Sequence, residues 1–223
     1  MSSGLALSSA AAWLRELSHG QRARLSVVLR RADGRQLALV DAVGRRVHTM
    51  HPLEHLVAAL ASGDAELVEH NPQARGPGVR LNNESFVRLC WLVGARLGRD
   101  VGLAPWLNTT TNYRLLSWPD FGEIGEDPEA TRLFAVIAKR ELGIAAMVEI
   151  VQLPQRTVHQ LVNSLSLCGL LASGPVSRRR TAGATRSVKG VPGEAKPAGW
   201  FGPGLRHLWR RLFRHLLRAR GRR

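Results

Sequence analysis

The chain is poor in several residue types, and each shortage removes a class of protein. It has one tyrosine, two cysteines and three lysines among its 32 basic residues. Cys90 and Cys168 sit in the apolar, helix-like runs RLCWLV and SLCGLL, so they read as buried reduced thiols of a cytoplasmic protein. A disulfide framework is excluded. No run approaches the roughly 20 apolar residues that a spanning helix needs. The opening MSSGLALSSAAAWLREL has neither a basic start nor a long apolar core, so no signal peptide is expected. The phosphate-loop, dinucleotide and nucleophile-elbow patterns are missing, and no catalytic residue or cofactor is read from the sequence.

What is present is an uneven field. Of the formal +15, residues 1–175 carry 18 basic and 16 acidic side chains, a net +2. Residues 176–223 carry 14 basic side chains against the single Glu194. The body is nearly neutral and the end of the chain holds the charge. Arginine supplies 29 of the cations throughout the chain, so the bias is not by itself a sign of bidentate recognition.

At 223 residues and 44% hydrophobic, the chain can bury one good core or two small ones. The expected fold class is α+β. Residues 10–72 read as a small α/β module: a helix (AAAWLRELSH), two strands around the turn ADGR, and a third strand RRVHTM. The helix HPLEHLVAALASG follows, with Pro52 at its start and Gly63 at its stop, and AELVEH closes the module. The stretch NPQARGPG marks a boundary. Residues 80–173 read as all helical, with SFVRLCWLVGARLG as one amphipathic helix. Asp127-Pro128-Glu129 carries the capping residue, proline and acid of another helix start. Between them, Trp106, Tyr113, Trp118 and Phe121 are expected to cover a seam between helices. Residues 174–198 are rich in Pro, Gly, Ser and Arg and read as a disordered basic linker.

The order helix, three strands, helix, strand, with GRRVHT ahead of LEHLVAALASGDAELVEH, resembles the PATAN-type signalling domains attached to bacterial response regulators. That resemblance implies a role in two-component or surface-motility signalling.

AAMVEIVQLPQRTVHQLVNSLSLCGLLAS carries a more specific pattern. Met147, Ile150 and Val151 form the expected inner face of a short helix. Leu153 plugs a turn, Pro154 opens a second helix, and Val158, Leu161, Val162 and Leu165 recur at helical spacing. Residues 127–173, with the helix-turn-helix at 144–171, are similar to the winged helix-turn-helix superfamily. The resemblance implies an outward recognition helix carrying Gln155, Arg156, His159, Gln160 and Asn163. Gln and Asn pair with adenine and Arg with guanine. Yet phosphate contacts usually supply affinity, and Arg156 is the one fixed cation between Gly143 and Ser173. Winged helices also bind proteins, so protein and nucleic-acid partners both stand open, with protein preferred.

His51-Pro52-Leu53-Glu54-His55 matches H-x-x-E-H, in which two histidines one turn apart hold zinc beside a glutamate base. No third ligand follows at an evident spacing, so no metal site is read and a zinc hydrolase stays a remote alternative.

Finally, residues 199–223 read as a basic amphipathic helix. Leu205, Leu208, Trp209, Leu212, Phe213, Leu216 and Leu217 form an apolar stripe, and Arg210, Arg211 and Arg214 lie on the opposite, acid-free face. That pattern suits an anionic membrane surface, an acidic protein groove or nucleic acid. The combined expectation is a cytoplasmic, non-catalytic bacterial regulatory or adaptor protein, peripheral on the inner membrane face, with no small-molecule substrate. The alternative is a DNA-binding transcriptional regulator.

Overall fold

The computed structural model describes residues 3–20, 26–70 and 82–174. The expected boundary stretch NPQARGPG, the linker beyond Gly174 and the amphipathic helix 199–223 lie outside those residues. The described chain is mixed α+β, with seven helices and an antiparallel sheet.

Helix α1 (Ser3–Ser18) repeats Leu7, Ala10, Ala11, Leu14 and Leu17 at helical spacing and buries that stripe. Strands β1 (Ser26–Arg31) and β2 (Gln36–Asp41) form a hairpin whose turn needs Gly34 at φ 82°. Strand β3 (Arg46–Thr49), helix α2 (Leu53–Ser62) and strand β4 (Ala65–Glu69) follow. Gly63 ends α2 in the left-handed region, φ 81°. Pro52 stands one position outside the helix, as its cap.

The sheet order is β4-β1-β2-β3-β5, all antiparallel, with β5 (Asn82–Ser85) as an edge. Val27, Leu29, Ala38, Val40 and Val47 alternate onto the face that shares a core with α1, α2 and helix α3 (Phe86–Asp100). Each of the valine and leucine side chains contributes about 1.5–3 kcal/mol when fully buried. Ser85 caps α3 by accepting from the Arg88 N–H at 3.3 Å.

The expectation of an all-helical 80–173 is corrected. Besides β5, this stretch contains β6 (Asn112–Leu115) and β7 (Leu171–Gly174), which pair with each other. All three are four residues long and carry little apolar alternation, so pairing partners rather than pattern make them strands. Helices α4 (Phe121–Ile124) and α5 (Pro128–Ile137) lie between them, and α5 starts as expected, with the Asp127 carboxylate accepting from the Glu129 N–H at 2.8 Å.

A short turn joins helices α6 (Ile144–Val151) and α7 (Gln155–Leu167), with Gln152 in the left-handed region and Leu153 buried. Met147 and Val151 face inward, but Ile150 is 40% exposed and does not belong to the inner face. The Arg132 guanidinium donates to the Val151 carbonyl and caps α6. Of the expected aromatic cluster, Trp118 and Phe121 pack with Trp91 on Phe134 of α5, whereas Trp106 lies under the Arg15 guanidinium. Tyr113 is buried, and its hydroxyl donates to the Asn108 carbonyl at 2.8 Å. All described residues belong to the compact unit Met1–Arg178, and one continuous core runs through both sequence segments. No described helix is long and apolar enough to cross a membrane.

Candidate functional site

The helix expected to project outward, α7, is packed lengthwise on α3. Glycine makes the approach possible: a Cβ on Gly94 would lie 2.5 Å from the Ser164 Cα, and one on Gly98 would lie 2.5 Å from the Gln160 nitrogen. Polar groups then fasten the two helices. The Ser164 hydroxyl donates to the Trp91 carbonyl at 2.8 Å. The Asn163 carboxamide accepts from the Ala104 N–H at 3.0 Å and donates to the Gly102 carbonyl at 2.8 Å. The Trp106 indole donates to the Ser166 hydroxyl at 3.0 Å.

This overturns the outward face. Asn163 is fully buried, because it satisfies the backbone that follows α3. Gln160 is half-buried against Gly98. His159 is half-buried beside Gly102, and loss of solvent lowers its pKa. Only Gln155 and Arg156 of the five are exposed, both in the first turn of α7. Even Arg156 is engaged: its Nε and Nη2 donate to the Arg99 carbonyl at 3.1 and 2.7 Å, capping α3. The five side chains therefore form no single presented surface.

The α6–α7 pair is also flanked by upstream chain. Strand β7, after α7, pairs with β6, and Tyr113 of β6 bridges Leu142 ahead of α6. A wing following Ser173 falls outside the described residues.

The H-x-x-E-H motif comes apart by direction. Glu54 pairs with Arg88 at 3.3 Å, toward the start of α3. His51 and His55 instead border a mostly apolar cleft of about 440 Å³ with Arg31 and Asp64. Among the described residues, no three His, Cys, Asp or Glu side chains cluster closely enough to hold a metal ion.

Both thiols are buried and free. Burial, then the neighbouring Cys168, raises the Cys90 pKa well above its ordinary value, and burial pushes Cys168 up to about 12. Neither is an activated nucleophile.

The feature that the sequence did not signal is a second cleft, of about 600 Å³, at the ends of α2, α3 and α7 beside the start of α1. Arg96, Arg99 and Arg156 line it, with Asp100 as the acidic member. Arg96, Arg99 and Asp100 share the last turns of α3, whereas Arg156 comes from α7, and no spacing in the sequence connects it to them. Comparison with protein-family models, with characterised proteins and with solved structures finds no match for this chain.

Proposed function

We propose that this chain is a non-catalytic regulatory or adaptor protein of bacterial type, whose α+β body binds a protein partner and whose basic tail, residues 199–223, brings it to an anionic membrane surface. The observation that carries this reading over its DNA-binding rival is the burial of Asn163 with the close packing of α7 on α3. A base-reading α7 would have to leave α3, strand two backbone groups now bonded to Asn163, and open a glycine-lined seam. The cost of those losses exceeds the ~1–3 kcal/mol of discrimination that one good base contact returns.

The observed α1-β1-β2-β3-α2-β4 order agrees with the layout on which the PATAN-type resemblance rests, which supports a signalling role. The zinc-hydrolase alternative loses support, because Glu54 turns to Arg88 instead of joining the histidines. For the helix-turn-helix, the surface left for a protein partner is the α6–α7 turn, with exposed Ile150, Gln152, Pro154 and Gln155.

The test is flotation of the full-length protein with vesicles of phosphatidylglycerol and phosphatidylcholine. The protein is expected to float with the anionic vesicles and not with pure phosphatidylcholine, and Trp209→Ala/Phe213→Ala is expected to release it. Tight, sequence-selective duplex binding that is lost in Gln155→Ala/Arg156→Ala would instead put the DNA-binding regulator first.

A further inference from the structure

Three guanidinium groups and one carboxylate meet at the Arg96–Arg99–Asp100–Arg156 cleft. Two of the cations are already placed by the fold. Arg96 is paired with Asp100 one turn along α3, and Arg156 is held by the Arg99 carbonyl. The Arg99 side chain is exposed and has no hydrogen-bond or ion-pair partner among the described residues. Arg156 keeps three of its five N–H donors after capping α3.

The local charge decides the sign of a ligand. The four side chains sum to +2. The ends of α2 and α3 at the cleft each add about half a negative charge, and the starts of α1 and α7 each add about half a positive one. The helix ends offset one another and the field stays positive by roughly +2 charges. The first turn of α7 strengthens this end, because Pro154 offers no side-chain cap to its N–H groups. Planar guanidinium forks favour phosphate and carboxylate oxygens over halide-like ions.

Size and lining narrow the class. About 600 Å³ falls in the range of organic-ligand sites and far exceeds a bare phosphate ion. Half-buried Gly4 and exposed Ala58 border the cleft and offer apolar contact to whatever carries the anion. We infer that this cleft binds a nucleotide-sized phosphate ester, its phosphate between Arg99 and Arg156 and its organic part toward Gly4 and Ala58. This goes beyond the adaptor reading: it gives the body a small-molecule input where α1, α2, α3 and α7 meet.

The experiment uses the full-length protein, with AMP and inorganic phosphate as probes. Affinity is read by titration calorimetry, and location by hydrogen exchange of peptides covering residues 94–103 and 154–160. AMP is expected to slow exchange in both peptides and to bind at least tenfold tighter than inorganic phosphate. Arg99→Gln, which removes no bond recorded within the described fold, is expected to weaken AMP at least tenfold. Adding Arg156→Gln should weaken it further. The tail variant Arg210→Gln/Arg211→Gln/Arg214→Gln is expected to keep both the affinity and the exchange pattern. Unchanged exchange in the two peptides, equal affinity for AMP and phosphate, or loss of binding in the tail variant alone would each overturn the proposal. None of these results depends on vesicle binding, so this inference and the adaptor reading fail separately.

Discussion

Gly94 of α3 and Ser164 of α7 meet backbone against backbone, with 2.5 Å between the Ser164 Cα and the place a Gly94 Cβ would take. Real Cβ atoms do not come that close, so any side chain at Gly94 must push the helices apart. Gly98 repeats the relationship one turn later against Gln160. Together the two glycines set how deeply α7 sits on α3.

The first prediction weighs two effects of Gly94→Ala and Gly98→Ala. Alanine adds up to about 1 kcal/mol of helix propensity. Overpacking against rigid backbone costs about 1–3 kcal/mol and sometimes more. Because the opposing atoms are backbone, which cannot rotate away, overpacking wins. Each substitution is expected to lower unfolding stability by about 2 kcal/mol in urea. A neutral or stabilising result would show the two helices to be less closely packed.

Asn163→Ala separates a structural asparagine from a base-reading one. Removing the carboxamide leaves the buried Ala104 N–H and the half-buried Gly102 carbonyl without their present partner. At about 1–3 kcal/mol for the buried N–H and about 1 kcal/mol for the half-buried carbonyl, which water can reach, a loss of about 2–4 kcal/mol is expected. Gln155→Ala, at an exposed position, is expected to change stability by less than about 0.5 kcal/mol. If Asn163→Ala unfolds like the native chain, the side chain is free and α7 regains its candidacy as a reading helix.

These two sites also show how far the sequence could be read. The α7 stripe Val158, Leu161, Val162 and Leu165 was legible because helical periodicity reports burial on one face. Asn163 was misread because polarity predicts exposure only on average, and a carboxamide can instead satisfy buried backbone that lies 59 and 61 residues away. Gly94 and Gly98 gave no sign beyond their spacing of four, since their role depends on the helix laid across them. The β1–β2 turn was legible from Asp33-Gly34 alone, whereas β5 (Asn-Asn-Glu-Ser) exists only through its pairing with β3. The arginine cleft was hidden for the same reason: tertiary proximity assembles it.

His159 gives a pH prediction. Desolvation lowers its pKa below the ordinary 6.5, so near and below that value the unfolded chain binds more proton than the native one. Stability is thus complete above about pH 6.5 and declines as pH falls toward the native pKa, where the decline from this group ends. Urea midpoints from pH 8 to pH 5 should fall less steeply in His159→Gln than in the native chain. Identical slopes would mean that His159 is as solvated in the fold as in the unfolded chain.

The thiols make the opposite prediction at alkaline pH. Cys168 is pushed up to about 12 from 9.0, so above pH 9 the unfolded chain ionises thiols that the native chain keeps protonated. Stability from this source declines as pH rises from about 9 toward 12. At pH 8, both thiols should react with a disulfide reagent only as fast as the chain opens, and at once in denaturant. Rapid labelling of the native protein would place either cysteine near the surface.

The last prediction concerns residues 199–223, which lie outside the described fold and are known here by their sequence. Helical stability comes mostly from packing of an apolar face, which the isolated segment lacks in water, and its closely spaced arginines repel one another. A peptide of these residues is therefore expected to be unstructured in dilute buffer and helical on phosphatidylglycerol vesicles, with far less helix on phosphatidylcholine. The two faces should fail in different ways. Trp209→Ala/Phe213→Ala removes apolar burial, so binding weakens while its salt dependence stays steep. Arg210→Gln/Arg211→Gln/Arg214→Gln removes about 1 kcal/mol per cation near an anionic leaflet, so binding weakens and its salt dependence flattens. A nucleic-acid tail would invert the pattern: duplex DNA would strip the peptide from vesicles, and the aromatic pair would hardly matter. Helix on anionic vesicles that survives competing DNA and needs Trp209 and Phe213 assigns the tail to the membrane surface. An unfolded peptide on those vesicles rejects that assignment.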